Sequence, residues 1–202
     1  MIKEVIFDVE TQKLFEEIED FSPDKLGLSI VSIYTRELNA DFKETKGEIM
    51  SFWEKDLSGL WPYFQEADRI VGFNSIGFDT LVLQPYTQIP LAKLKHFDIL
   101  AEVKKVLGHR LSLDALASQT LEAQKSDIGI NAVKYWKAGD PESLAKLKSY
   151  CEQDVILTRD LYDHALHKKI LKYKDKWNTL REVEVDFSYP KEETSQKQIG
   201  LF

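Results

Sequence analysis

The sequence predicts an α/β domain, and three observations carry that prediction. Short apolar stretches at residues 5–11, 28–34 and 40–43 read as strands joined by short links, the third weaker than the others. Two further strand-like runs, 69–73 and 94–97, alternate with stretches of helical spacing. A long amphipathic helix opens at Asp140-Pro141-Glu142 and closes the α/β order.

Taken in order, residues 5–7 are apolar, and Asp8 and Glu10 then interrupt the run two residues apart. Side chains alternate along a strand, so Ile6, Asp8 and Glu10 share one face while Val5, Phe7 and Val9 share the other. Two carboxylates ending a buried strand repel each other and resist desolvation, and a hard divalent cation with oxygen ligands would compensate them. A solvated strand edge would carry the same pair, and only further acids downstream separate the two readings.

Residues 12–27, with Ser22-Pro23 and Gly27, read as a loop, and 28–34 as the second strand of an antiparallel meander. From Glu48, the apolar residues Ile49, Phe52, Trp53, Leu57, Leu60, Trp61 and Phe64 recur at helical spacing up to a bend at Pro62. A strand at 69–73 leads to Ser75, a candidate cap for a helix over 76–83 that places Asp79 on its first turn. Helices are predicted over 98–107 and 112–121, with 128–139 irregular.

In the final helix, Asp140 is the cap, and Leu144, Leu147, Cys151, Val155, Thr158, Tyr162 and Leu166 form the buried stripe. Tyr150 and Asp154 stand one turn apart beside that stripe, at the rim of the core. Residues 168–189 are predicted as a basic hairpin, with 170–173 pairing 180–187; its lysines either line a path for nucleic acid or keep an edge strand soluble. Lys104, Lys105, His109 and Arg110 are further candidate phosphate contacts, with a solvated helix face as the plainer reading. Residues 190–202 read as a flexible polar tail.

Composition bounds the rest. The 202 residues suit one main domain over 1–167 with these appendages. Hydrophobic content of 43% and a single cysteine, Cys151, fit a chain with no membrane partner in a reducing, cytoplasmic setting. The net charge of −7 argues against coating nucleic acid by bulk electrostatics but permits a nucleic-acid enzyme, because bound cations reverse the sign locally.

Together, Phe7-Asp8-Val9-Glu10-Thr11, then Asn74 with Phe78-Asp79, then Tyr150-Cys151-Glu152-Gln153-Asp154 resemble the three motifs of the DEDD superfamily of 3′-5′ exonucleases. The tyrosine four residues before the last aspartate matches the DEDDy branch. The DEDDh branch has a histidine five before it, where this chain has Ser149. The similarity extends to the proofreading domain of family B DNA polymerases.

The resemblance implies a ribonuclease H-like fold, a mixed five-stranded sheet flanked by helices. It implies that Asp8, Glu10, Asp79 and Asp154 hold two Mg²⁺ or Mn²⁺ ions roughly 4 Å apart. Asp8 would bridge both, Glu10 and Asp154 would hold the nucleophile-side ion, Asp79 would support the other through water, and Tyr150 would orient the attacking water. Thr11, Asn74 and Phe78 are candidates for gripping the terminal nucleotide. The implied activity is removal of nucleotides from single-stranded DNA 3′ ends in replication or repair. An exoribonuclease of the same superfamily and a non-catalytic clamp-binding protein on a nuclease fold are the alternatives. The closing Gln198-Ile199-Gly200-Leu201-Phe202 resembles the motif by which bacterial polymerases and repair factors dock on the sliding clamp, with Ile199 in place of Leu, so Gln198, Ile199, Leu201 and Phe202 are candidate clamp contacts.

Overall fold

A computed structural model describes residues 1–123 and 129–189. Strand β1, Ile2–Thr11, lies at the centre of a five-stranded mixed sheet. On one side it pairs antiparallel with β2, Leu28–Leu38, which pairs antiparallel with β3, Glu44–Trp53. On the other it pairs parallel with β4, Arg69–Gly72, which pairs parallel with β5, His96–Asp98. The helices are α1, Trp61–Glu66; α2, Asp79–Leu83; α3, Ile99–Leu107; α4, Leu113–Thr120; α5, Gly129–Ala138; and α6, Pro141–Lys168. A hairpin of β6, Ile170–Lys174, and β7, Leu180–Glu184, follows.

The alternation read from β1 governs both layers. Val5, Phe7 and Val9 pack in one cluster with Phe64 of α1 and Val82 of α2. Ile6 packs in the other with Val103 of α3 and Val155 and Tyr162 of α6. A central strand covered on both faces buries nearly all its side chains, which is why the run looks continuously apolar. Helix α6 starts where Asp140 accepts the Glu142 and Ser143 N–H groups at 3.0 Å, and it ends at Lys169, whose φ of 58° closes the last turn. No helix among the described residues is long and apolar enough to cross a membrane.

Several expectations are overturned. Residues 40–43 form a turn, held by Asn39 Oδ1, which accepts the N–H groups of Asp41 and Lys43; the third strand follows it. The helix expected from Glu48 is β3 as far as Trp53: Ile49 pairs with Tyr34 and Phe52 with Val31. Met50 and Phe52 pack against the cluster of Val5, Phe7 and Val9, and Trp53 against a third cluster that contains Ile30 and Leu147, so apolar residues on both faces mimic the helical period. The stretch expected to be irregular is mostly α5. Its buried stripe is short, Ala132 and Val133, and Trp136 stacks on Trp53 with centroids 6.3 Å apart.

A buried polar cluster ties the C-terminal segment to the sheet. Arg36 donates to Glu4 at 2.8 Å and to both oxygens of Asp163, and Tyr162 and Tyr189 donate to Glu4. Arg69 donates to Tyr162 and to the carbonyls of Phe187 and Ser188, while its guanidinium lies 3.6 Å from the Tyr189 ring centroid. The hairpin adds Leu171, Tyr173 and Val183 to the cluster that contains Ile6. Its cations face acids of the same segment, with Lys172 beside Glu182 and Arg181 beside Asp175.

Candidate metal centre

Asp8, Glu10 and Asp154 each present a carboxylate oxygen within 4.8 Å of the others. The first two arrive together because they occupy alternate positions of β1, opposite Ser32 and Ile30 of β2. The register shifts between Glu10 and Thr11, and such an irregularity re-aims side chains at the end of a strand. Asp154 comes from α6, which lies against that face of the sheet; one turn earlier, Cys151 brings its Sγ to 3.5 Å from the Asp8 carbonyl oxygen.

Asp79 reaches the same cavity from the far side of β1. Its delivery depends on the turn after β4. A side chain at Gly72 would strike Ser75, whose Cβ lies 2.4 Å from where the Gly72 Cβ would be. Asn74 takes a φ of 64°, which asparagine tolerates better than most residues. The Asp98 carboxylate accepts the N–H groups of Asn74 at 2.9 Å, Ile76 at 3.0 Å and Ala101 at 3.1 Å. Asp98 therefore caps α3 and fixes the turn at once. The turn holds residues 75–78 out of the helix, so α2 begins at Asp79 itself, and Ser75 does not cap it. Asp79 is 4% exposed, and its Oδ1 accepts the Val9 N–H at 3.1 Å.

Asp8, Glu10, Asp79, Tyr150 and Asp154 all line one cavity of 360 Å³. Tyr150 and Asp154 are 5% and 2% exposed, so they lie inside the core rather than at its rim. The cover they were not expected to have includes Ile130 and Val133 of α5 on the same cavity wall. Burial, then the nearby charges of Asp154, Glu10 and Asp8, pushes the Tyr150 phenol well above its ordinary range. It stays protonated and hydrogen-bonds Asp154. The Cys151 thiol is pushed up by burial first and then by Asp8, and so stays neutral.

The other candidates are less uniform. Thr11 lines the cavity, but its hydroxyl donates to the Lys13 carbonyl at 2.9 Å. Asn74 and Phe78 line it too, and Asn74 Oδ1 accepts from Arg110 at 2.9 Å. Arg110, Asn74 and Tyr150 also line an adjoining 570 Å³ cavity that shares Asp8 with the first. The proposed clamp contacts Gln198, Ile199, Leu201 and Phe202 lie outside the described residues. Sequence reasoning missed Lys13 and Phe15 on the cavity wall, because the loop that carries them has no periodic pattern.

The donor set fits a hard cation. Three carboxylates, with no nitrogen or sulfur donor among the described residues, make a site suited to magnesium or manganese rather than to a softer metal. Oxygens of like charge this close in a buried cavity repel unless positive charge lies among them.

The family model of the RNase_H superfamily matches residues 5–166. No curated protein matches the chain. Among solved structures, the family B DNA polymerase from the hyperthermophilic archaeon Pyrobaculum calidifontis matches with a TM-score of 0.55 and 20% identity, over 82% of this chain and 25% of that one. The zinc-bound complex of E. coli ExoI with single-stranded DNA matches with a TM-score of 0.46 and 11% identity, over 84% of this chain and 41% of that one. The chain thus spans about a quarter of the polymerase and under half of ExoI, and the likeness to the polymerase is one of fold.

Proposed function

The chain belongs to the RNase_H superfamily, and on that premise we propose that it is a divalent-metal-dependent 3′-5′ exonuclease acting on single-stranded DNA ends. The observation that carries the reading is the buried Asp8–Glu10–Asp154 cluster in one cavity with Asp79 and Tyr150. Asp8, Glu10 and Asp154 would hold the cation, with Asp79 supporting a second from beside Val9. When bound, such ions lower the pKa of a coordinated water and stabilise the departing 3′ oxygen.

The chain's own groups do the rest. Tyr150, on the same cavity wall as the four acids, would orient the attacking water by a hydrogen bond. Its place four residues before Asp154 is what supports the DEDDy reading. Asn74, Phe78 and the Thr11 backbone hold the last nucleotide, and Arg110 offers its charge to a phosphate at the junction of the two cavities.

A 5′-labelled single-stranded oligonucleotide with Mn²⁺ tests the reading. It predicts a ladder shortening from the 3′ end, abolished by EDTA and by Asp8→Asn. Cleavage from the 5′ end, or internal cleavage, would refute it. Matched RNA decides between the deoxyribonuclease and exoribonuclease readings. The sequence of residues 198–202 supports a further role, recruitment to DNA by a bacterial-type sliding clamp.

A further inference from the structure

Three phenylalanines step outward from the carboxylates. Phe78 and Phe15 both line the 360 Å³ cavity that holds Asp8 and Asp154. Their ring centroids are 6.1 Å apart with planes inclined at 60°. Phe15 in turn stacks on Phe21 at 6.3 Å, with the planes only 24° apart. Phe21 is 67% exposed, so its ring offers the largest free aromatic face of the three.

Phe21 is costly where it stands. Its φ of 51° lies in the left-handed region, which a bulky side chain rarely adopts. An exposed ring contributes little burial to offset that strain. Backbone strain of this kind clusters where a side chain must be presented rather than packed.

We propose that Phe21 and Phe15 form a stacking platform for the unpaired bases that follow the terminal nucleotide into the site. The proposal rests on the nuclease reading and names what that site grips beyond the scissile bond. Continuity with the carboxylate cavity selects bases as the occupant. The loop also carries Glu16, Glu19 and Asp20, which would repel phosphates, so contact runs through uncharged base faces. Lys13, on the same cavity wall, suits the phosphate side. Aromatic stacking is tolerant of sequence because every base has a π face, which matches an enzyme that must degrade any strand.

The test uses the full chain carrying Asp154→Asn, so that the substrate survives. Anisotropy measures binding of a labelled single-stranded oligonucleotide and of the same oligonucleotide with abasic residues at the second to fourth positions from its 3′ end. Phe21→Ala and Phe15→Ala are expected to weaken binding of the intact strand about tenfold. They are expected to leave binding of the abasic strand unchanged, and Phe21→Trp restores affinity for the intact one. The loss is the same at low and high salt, because stacking releases no counterions. Phe21→Gly relieves the backbone and weakens binding with no drop in Tm, which separates strand contact from folding.

Equal losses on intact and abasic strands, or undiminished binding by Phe21→Ala, would overturn the platform while metal-dependent hydrolysis by the unmutated chain upholds the nuclease reading. A chain that neither binds nor hydrolyses the oligonucleotide fails that reading and takes the platform with it. Retained oligonucleotide affinity with Phe21 protected by a protein partner would likewise refute base stacking.

Discussion

Asp79 Oδ1 accepts the backbone N–H of Val9 at 3.1 Å, so the acid that follows β4 is fastened between the two acids of β1. The bond joins residues 70 positions apart and makes the second motif part of the first. Asp79→Asn keeps the acceptor and removes the charge, whereas Asp79→Ala leaves a buried N–H without its partner. The alanine variant is predicted to lose about 1–3 kcal/mol in urea denaturation, and the asparagine variant clearly less. Both are predicted to slow hydrolysis by about 10–100-fold or more. Equal stability loss in the two would show that the carboxylate charge, not the hydrogen bond, matters for folding.

Arg36 is 3% exposed and is paired with Glu4 and Asp163. Removing it leaves Glu4 charged and buried with only two phenols. Arg36→Ala is therefore predicted to cost about 3–5 kcal/mol in chemical denaturation. Adding Glu4→Gln should recover part of that loss, because the stranded charge goes with it. A loss under 1 kcal/mol, roughly the value of a surface pair, would contradict the structure.

His96 titrates below its usual value of 6.5, because burial disfavours the imidazolium more than its bond to the Leu91 carbonyl favours it. The unfolded chain binds the proton more readily, so stability rises with pH through this window. His96 contributes fully above the unfolded value, and the contribution fades as pH falls through the lower folded value. The urea midpoint should fall on acidification from pH 7.5 to pH 5.5 and fall less in His96→Gln. The same slope in both proteins would assign the loss to other groups, of which His164, also lowered by burial, is the first to examine.

Recruitment by a clamp predicts that the full chain binds a purified bacterial sliding clamp in calorimetric titration and that a chain lacking residues 198–202 does not. Leu201→Ala with Phe202→Ala should reproduce the loss. Equal binding by both chains, or none by either, removes the clamp from the account.

Much of the site is legible locally. Alternation places Asp8 and Glu10 on one face, and helical spacing places Tyr150 beside Asp154. What sequence cannot supply is the second partner. The Val9 N–H that receives Asp79, the three N–H groups gathered by Asp98 and the α5 cover over Asp154 are all products of packing between remote segments. Strand β3 reads as a helix in the sequence because apolar side chains on both of its faces erase the two-residue period. Arg110 was visible as a cation, but its bond to Asn74 was not. Phe21 gives no periodic signal at all, since its place is set by a loop and a left-handed backbone.

Hydrolysis by this chain requires that Asp8, Glu10 and Asp154 bind a cation. Depletion of free Mn²⁺, followed by electron paramagnetic resonance as protein is added, measures this without any substrate. The unmutated chain is predicted to bind Mn²⁺, with Asp154→Asn and Asp8→Asn weakened about tenfold or more while circular dichroism shows each folded. Mn²⁺ binding that is absent from the unmutated chain, or equal in all three proteins, would contradict it.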